Sequence, residues 1–264
     1  MSSFVSNWLR ILLLILSIFS FRPQLHLLHQ IGDSTGVSLA YLLCNVISAT
    51  EQLTISFCYM FNAQSSDPFV HNPPNAGDWL DFLQFAVTWC LSSTLFLFGV
   101  FHSPARLGRK AFIVDITFLS LSLLAAILYV LANLCGANYG SQDWEYSILL
   151  GSHLIFVNPM VTLLAIAALP AQLRELKRHG HAALSLTGLA SQAATFTVLG
   201  LSWVYRARLD YNLSDVFRTW GSFTSWYQLV GWAAVDHLVF AVMQGILFFV
   251  VLGRKRTVTA KRGE

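Results

Sequence analysis

Apolar residues run along this chain in blocks, each closed by a short cluster of polar, proline or glycine residues. Seven such blocks fall at 5–24, 36–61, 79–101, 111–135, 148–170, 184–206 and 226–252. A block of about 20 apolar residues is long enough to cross a bilayer as a helix. The first is the least regular, because Arg10 and Arg22 interrupt it. A cleaved signal peptide is the rival reading there, but Arg22, Pro23 and Gln24 follow the apolar run without a small-residue cleavage site. Arg10 is expected to snorkel to the interface.

Composition agrees with this pattern. Of 264 residues, 55% are hydrophobic and 11% charged, against roughly a quarter charged in a soluble domain. These figures exclude a disordered chain, a nucleic-acid-binding module and an ordinary soluble enzyme. The pattern predicts an all-α integral membrane protein with seven transmembrane helices, whose partners are the lipid bilayer and a small solute or lipophilic substrate. No motif calls for a cofactor or a metal, and a homo-oligomer stays open. The basic residues fix an expected orientation. With seven spans, twelve of the sixteen lysines and arginines share one side with the C-terminus. They are Arg22, Arg106, Arg109, Lys110, Arg174, Lys177, Arg178 and five in the 253–264 tail. That side is expected to be cytosolic, in an endomembrane (vacuole, lysosome or ER) or the plasma membrane, with the tail serving as a stop-transfer flank. The other side collects Asp67, Asp78, Asp143, Glu145, Asp210 and Asp215. It also holds an aromatic belt of Trp79, Tyr139, Trp144, Tyr146, Trp220 and Trp226. Asn212-Leu213-Ser214 there is a glycosylation sequon.

Two segments of the chain repeat. Pro23-Gln24 is followed by Ser38, and Pro170-Ala171-Gln172 by Ser185; each proline-to-serine interval is 15 residues, at an offset of 147. The same offset pairs Asn45 with Gln192 and Trp79 with Trp226. The chain then divides into a first three-helix repeat (1–110), a linker helix (111–135), a second three-helix repeat (136–252) and the basic tail. An odd number of linking spans gives both halves the same orientation, the parallel-repeat plan of some transporters.

The residues Ser20-x-x-Pro23-Gln24 and Ser34-Thr35-Gly36-x-Ser38-Leu39 resemble the PQ-loop repeat family, which includes the SWEET carriers and the lysosomal cystine and cationic amino-acid exporters. In the second copy, Ala171 splits the proline from the glutamine and the Ser-Thr-Gly is missing. The resemblance implies two three-helix bundles in pseudo-twofold relation, a lumenal N-terminus, and Pro23 and Pro170 as hinges of alternating access. With them go Gln24 and Gln172.

Ionisable groups in mid-span are expensive, and so point to function. Glu51 and Asp236 lie midway in their spans and in different halves, placed for proton coupling in a carrier or acid–base work in an enzyme. Asp115 is expected to pair with the basic edge. Asn45 and Gln192 are able to bind a polar solute or to glue helices together. His153 and Asn158-Pro159 share the fifth span, where Pro159 predicts a kink. His237 points about 100° away from its neighbour Asp236. His26, His29, His179 and His181 read as loop residues. Cys44 and Cys90 read as small packing residues, while Cys58 and Cys135 are open to a disulfide. The leading function is a carrier for a small polar solute, with or without proton coupling. The alternative is an integral-membrane cyclase or isomerase using Glu51 and Asp236, although the Trp-Glu motif of membrane terpene cyclases is replaced here by Thr50-Glu51. A receptor or chaperone-like role is the third.

Overall fold

The computed structural model describes residues 5–61, 69–135, 142–180, 183–206, 216 and 218–262. Asn212, Asp67, Tyr139, Asp210, Asp215 and His181 lie outside them. Seven long helices run through the described residues. They are α1 (Asn7–Ile31), α2 (Leu39–Phe61), α3 (Ala76–His102), α4 (105–134), α5 (142–179), α6 (Leu186–Val204) and α7 (220–262). Five of them, α1, α3, α4, α5 and α7, are long and apolar enough to cross a membrane, the mark of a multi-pass membrane protein. The other two are 23 and 19 residues long. Their lower hydropathy comes from inward-facing polar side chains: Thr50, Glu51, Gln52, Thr54 and Ser56 on α2, and Gln192, Thr195 and Ser202 on α6, all buried.

Six helices close a ring. Around it α1 packs on α3, α3 on α2, α2 on α5, α5 on α7, α7 on α6 and α6 back on α1. The 105–134 helix stands outside this ring against α2 and α3. Only Gly108 and Ala111 of its first fifteen residues are buried. The large apolar side chains left exposed on α4, such as Leu121 at 72%, belong to a surface covered by lipid rather than water.

Three helices contain π turns, at Ser120–Leu124, His153–Val157 and Tyr227–Gly231. The second has a local cause. Pro159 has no N–H to give the carbonyl of Ile155, so the hydrogen-bond register slips one residue there. The third depends on Gly231, where a Cβ would come within 2.4 Å of the Trp226 ring. The helices also extend beyond the apolar blocks. Pro23 and Pro170 lie inside α1 and α5, not at their ends. Those helices stop at Gly32 and Gly180, both at positive φ (64° and 80°), where a side chain would be strained.

Several expectations are corrected. Arg10 does not snorkel. It is 4% exposed and bonded to Asp81 at 2.5 Å. Asp78 is not a loop acid: it closes a capping box with Asn75 at the start of α3 and bonds His71. Trp226 is buried rather than interfacial, whereas Trp79 is half-exposed. All four cysteines are free, and Cys90 is exposed instead of packed. Asp115 is partly buried and makes no ion pair among the described residues.

Candidate functional site

A cavity runs along the axis of the ring in two compartments that share Asn45, Ser92 and Phe240. The first is lined by Gln52, Thr88, Thr162, Phe196, Asp236 and His237, among others. Gln24, Tyr41, Gln192 and Gln244 line the second, with Phe21 and several leucines. Free volumes of about 30 and 40 Å³ leave room for a few waters and nothing larger. Among the described residues, no lysine or arginine lines either compartment.

The candidates read from sequence divide here. Asn45, Gln192 and Asp236 reach the cavity, from α2, α6 and α7. Glu51 does not line it. Its Oε1 lies 2.7 Å from Nδ1 of His153, its side chain is wholly buried, and Oε2 has no hydrogen bond. His153 opens the π turn that precedes Asn158-Pro159. Asp236 is held by partners that sequence alone did not single out. Its Oδ1 accepts from Thr162 Oγ1 at 2.6 Å, while Oδ2 has no close hydrogen bond, with Gln52 and Asn158 near the carboxyl. Thr162 Oγ1 lies 2.9 Å from the Tyr227 hydroxyl, which accepts from Asn158 Nδ2 at 2.8 Å. Tyr227 opens the third π turn. Glu51 is therefore met directly by a residue at a π turn, a placement common at functional sites, whereas Asp236 reaches Tyr227 only through Thr162. The only advance signal for these partners was Asn158-Pro159 in mid-span. His237, expected to face away from Asp236, lines the same compartment. It bonds the carbonyl of Ala233 and packs among Phe85, Phe196 and Trp203.

Below the cavity, two glutamines act as latches. Gln24 of α1 donates from Nε2 to the Ala183 carbonyl at 2.7 Å and accepts from the Ser185 N–H at 2.9 Å. Gln172 of α5 donates to the Gly36 carbonyl at 2.8 Å and accepts from the Ser38 N–H at 2.8 Å. Each latch holds the segment that starts a second helix, α6 or α2. Ser185 caps α6 through Gly188 N, and Ser38 accepts from Tyr41 N. Gly188 lets α1 approach, since a Cβ there would lie 3.3 Å from Gln24 N. Nearby, Gln244 on α7 bonds the Tyr41 hydroxyl on α2 at 2.9 Å.

The opposite end is closed by a buried ion cluster. Asp81 on α3 takes Arg10 of α1 on Oδ2 at 2.5 Å and Arg206, just after α6, on Oδ1 at 2.7 Å. The Arg206 guanidinium stacks 4.6 Å above the Trp203 ring. Beneath it Phe85, Trp203, Trp232 and Phe69 stack at centroid distances of 4.9 to 5.3 Å.

Fold and site together define a helical membrane protein with a small, mainly apolar cavity at its centre, into which a few polar side chains reach. No protein-family model matches the chain, and no curated protein or solved structure is significantly similar to it.

Proposed function

We propose that this protein is a membrane carrier for a small polar solute, working by alternating access and built as a PQ-loop repeat protein. The observation that carries the reading is the reciprocity of the two glutamine latches. Gln24 and Gln172 stand 148 residues apart, as do Leu28 and Leu176, and Gly32 and Gly180. Gly36 and Ala183, and Ser38 and Ser185, stand 147 apart. Ala171 is then an insertion that moves the second glutamine on by one residue, and the following loop is one residue shorter. Both glutamines make the same two bonds, each to the other half. Such exchange supports two equivalent bundles meeting across a pseudo-twofold axis. Cross-half contacts close the cavity at both ends, the latches at one and Asp81–Arg206 at the other. A carrier needs such an occluded state between its two open ones. In this reading Pro23 and Pro170, each removing a backbone donor beside a latch, are the hinges. Asp236, with one oxygen making no close hydrogen bond at the cavity, is the solute- or proton-binding acid.

A cyclase is the second reading, and one observation favours it. Phe196 and Phe240 flank Asp236 in the cavity wall, and aromatic faces stabilise a cation in an apolar space. One experiment separates the two. The purified chain in proteoliposomes is challenged with a panel of small polar metabolites under an imposed pH gradient. Gradient-dependent uptake that Asp236→Asn abolishes supports the carrier. Substrate conversion in detergent without any gradient, and no uptake, overturns it.

A further inference from the structure

A wider opening lies outside the central cavity. It is a groove of about 630 Å³ at the latch end, between the 34–38 segment, the start of α2, the first turns of α4 and the end of α5. Its floor is apolar, formed by Val37, Leu43, Ala111 and Val114. Its mouth is polar, with Lys110, His102 and His179 beside the hydroxyls of Ser34 and Thr35. Both acids near the mouth are already engaged. Glu175 pairs with His179 at 2.8 Å. Asp33 accepts from the Thr35 hydroxyl and N–H at 2.8 and 2.9 Å, and these bonds hold its carboxyl below the usual range. Lys110 has no acid beside it among the described residues. Arg106 and Arg109 flank it on the exposed side of α4. The groove therefore combines one lysine, at the basic end of the bundle, with an apolar floor that continues onto the exposed face of α4, where Ile113 and Val114 are about half exposed (56% and 48%).

We propose that this groove binds an anionic phospholipid, its net negative headgroup at Lys110 and one acyl chain along Leu43 and Val114. Basic pockets between membrane helices suit such headgroups, and the volume is that of an ordinary ligand site. A soluble anion gains nothing from the apolar floor, and a neutral lipid gains little from the lysine. The ring nitrogen Nδ1 of His102 is bonded to the Phe98 carbonyl at 2.8 Å, which orients the ring at the mouth. One wall, residues 34–38, is the segment that Gln172 latches. A lipid seated there braces that segment, whatever the protein carries.

The test uses the full chain purified in mild detergent with phosphatidylserine or phosphatidylcholine of matched acyl chains, read by native mass spectrometry. Phosphatidylserine should be retained preferentially. Lys110→Gln, at an exposed position that folding does not need, should lower its retention about fivefold, the worth of one lysine at a lipid phosphate. Val114→Trp, which fills the groove without changing charge, should expel it. Lys255→Gln in the tail, which lies outside the groove, should leave retention unchanged. Equal retention of the two lipids overturns the proposal. So does a tail variant as damaging as Lys110→Gln, which would mean diffuse surface attraction. Displacement by millimolar inorganic phosphate would also overturn it, by making the groove a soluble-anion site.

Discussion

Replacing Gln172 with leucine keeps the volume of a fully buried side chain and removes both latch bonds to the 36–38 segment. The Ser38 N–H and the Gly36 carbonyl, bonded at 2.8 Å in the native protein, are then orphaned in the closed state. A buried polar group left unpaired costs about 1–3 kcal/mol, so the two together cost at least about 2 kcal/mol. In the open state that the carrier reading requires, water reaches these groups and the penalty disappears. The variant should therefore shift the closed–open balance toward open by about thirtyfold, since 1.4 kcal/mol is roughly tenfold. The readout is thiol labelling of Asn45→Cys, at the junction of the two compartments, after the four native cysteines are replaced by alanine. Labelling should accelerate about thirtyfold in Gln172→Leu. Because Gln24 makes the matching bonds to Ala183 and Ser185, Gln24→Leu should accelerate it by a similar factor. Labelling within twofold of the parent in either folded variant would refute the latch argument. A large effect from only one of them would refute the equivalence of the halves.

Asp81→Asn should lower stability by about 3–5 kcal/mol, because two buried guanidiniums lose their shared counter-charge; an unchanged thermal unfolding midpoint in detergent would contradict this. Glu51→Gln and Asp236→Asn should each abolish activity at normal expression, and wild-type activity in both would make the two carboxylates structural. Pro23→Ala should leave the protein in its membrane but slow turnover, and an equal rate at equal abundance would remove the hinge. A C-terminal tag should be protease-accessible from the cytosolic side, given the basic residues gathered at that end; protection there would reverse the topology.

Hydrophobic blocks and their polar punctuation were enough to read helices, because a membrane span must satisfy its own backbone hydrogen bonds within a near-fixed length. The proline–glutamine pattern was equally local, and it drew attention to Gln24, Gln172 and the cavity residues Asn45 and Gln192, while Asp236 stood out as an ionisable group in mid-span. Partners were not legible. Glu51 meets His153 across 102 residues, and Asp236 meets Thr162 across 74. Both meetings depend on how helices rotate and pack, and the first also involves a π turn, which shifts register by one residue. The fate of Arg10 shows the same limit. A lone arginine in an apolar block suggests snorkelling until the fold brings Asp81 and Arg206 to it. Cys90 also reads as packing until the ring of helices turns that face of α3 outward. Sequence periodicity fixes which residues share a helix. Only tertiary structure decides which faces meet, because a contact energy belongs to a pair of surfaces and not to either one alone.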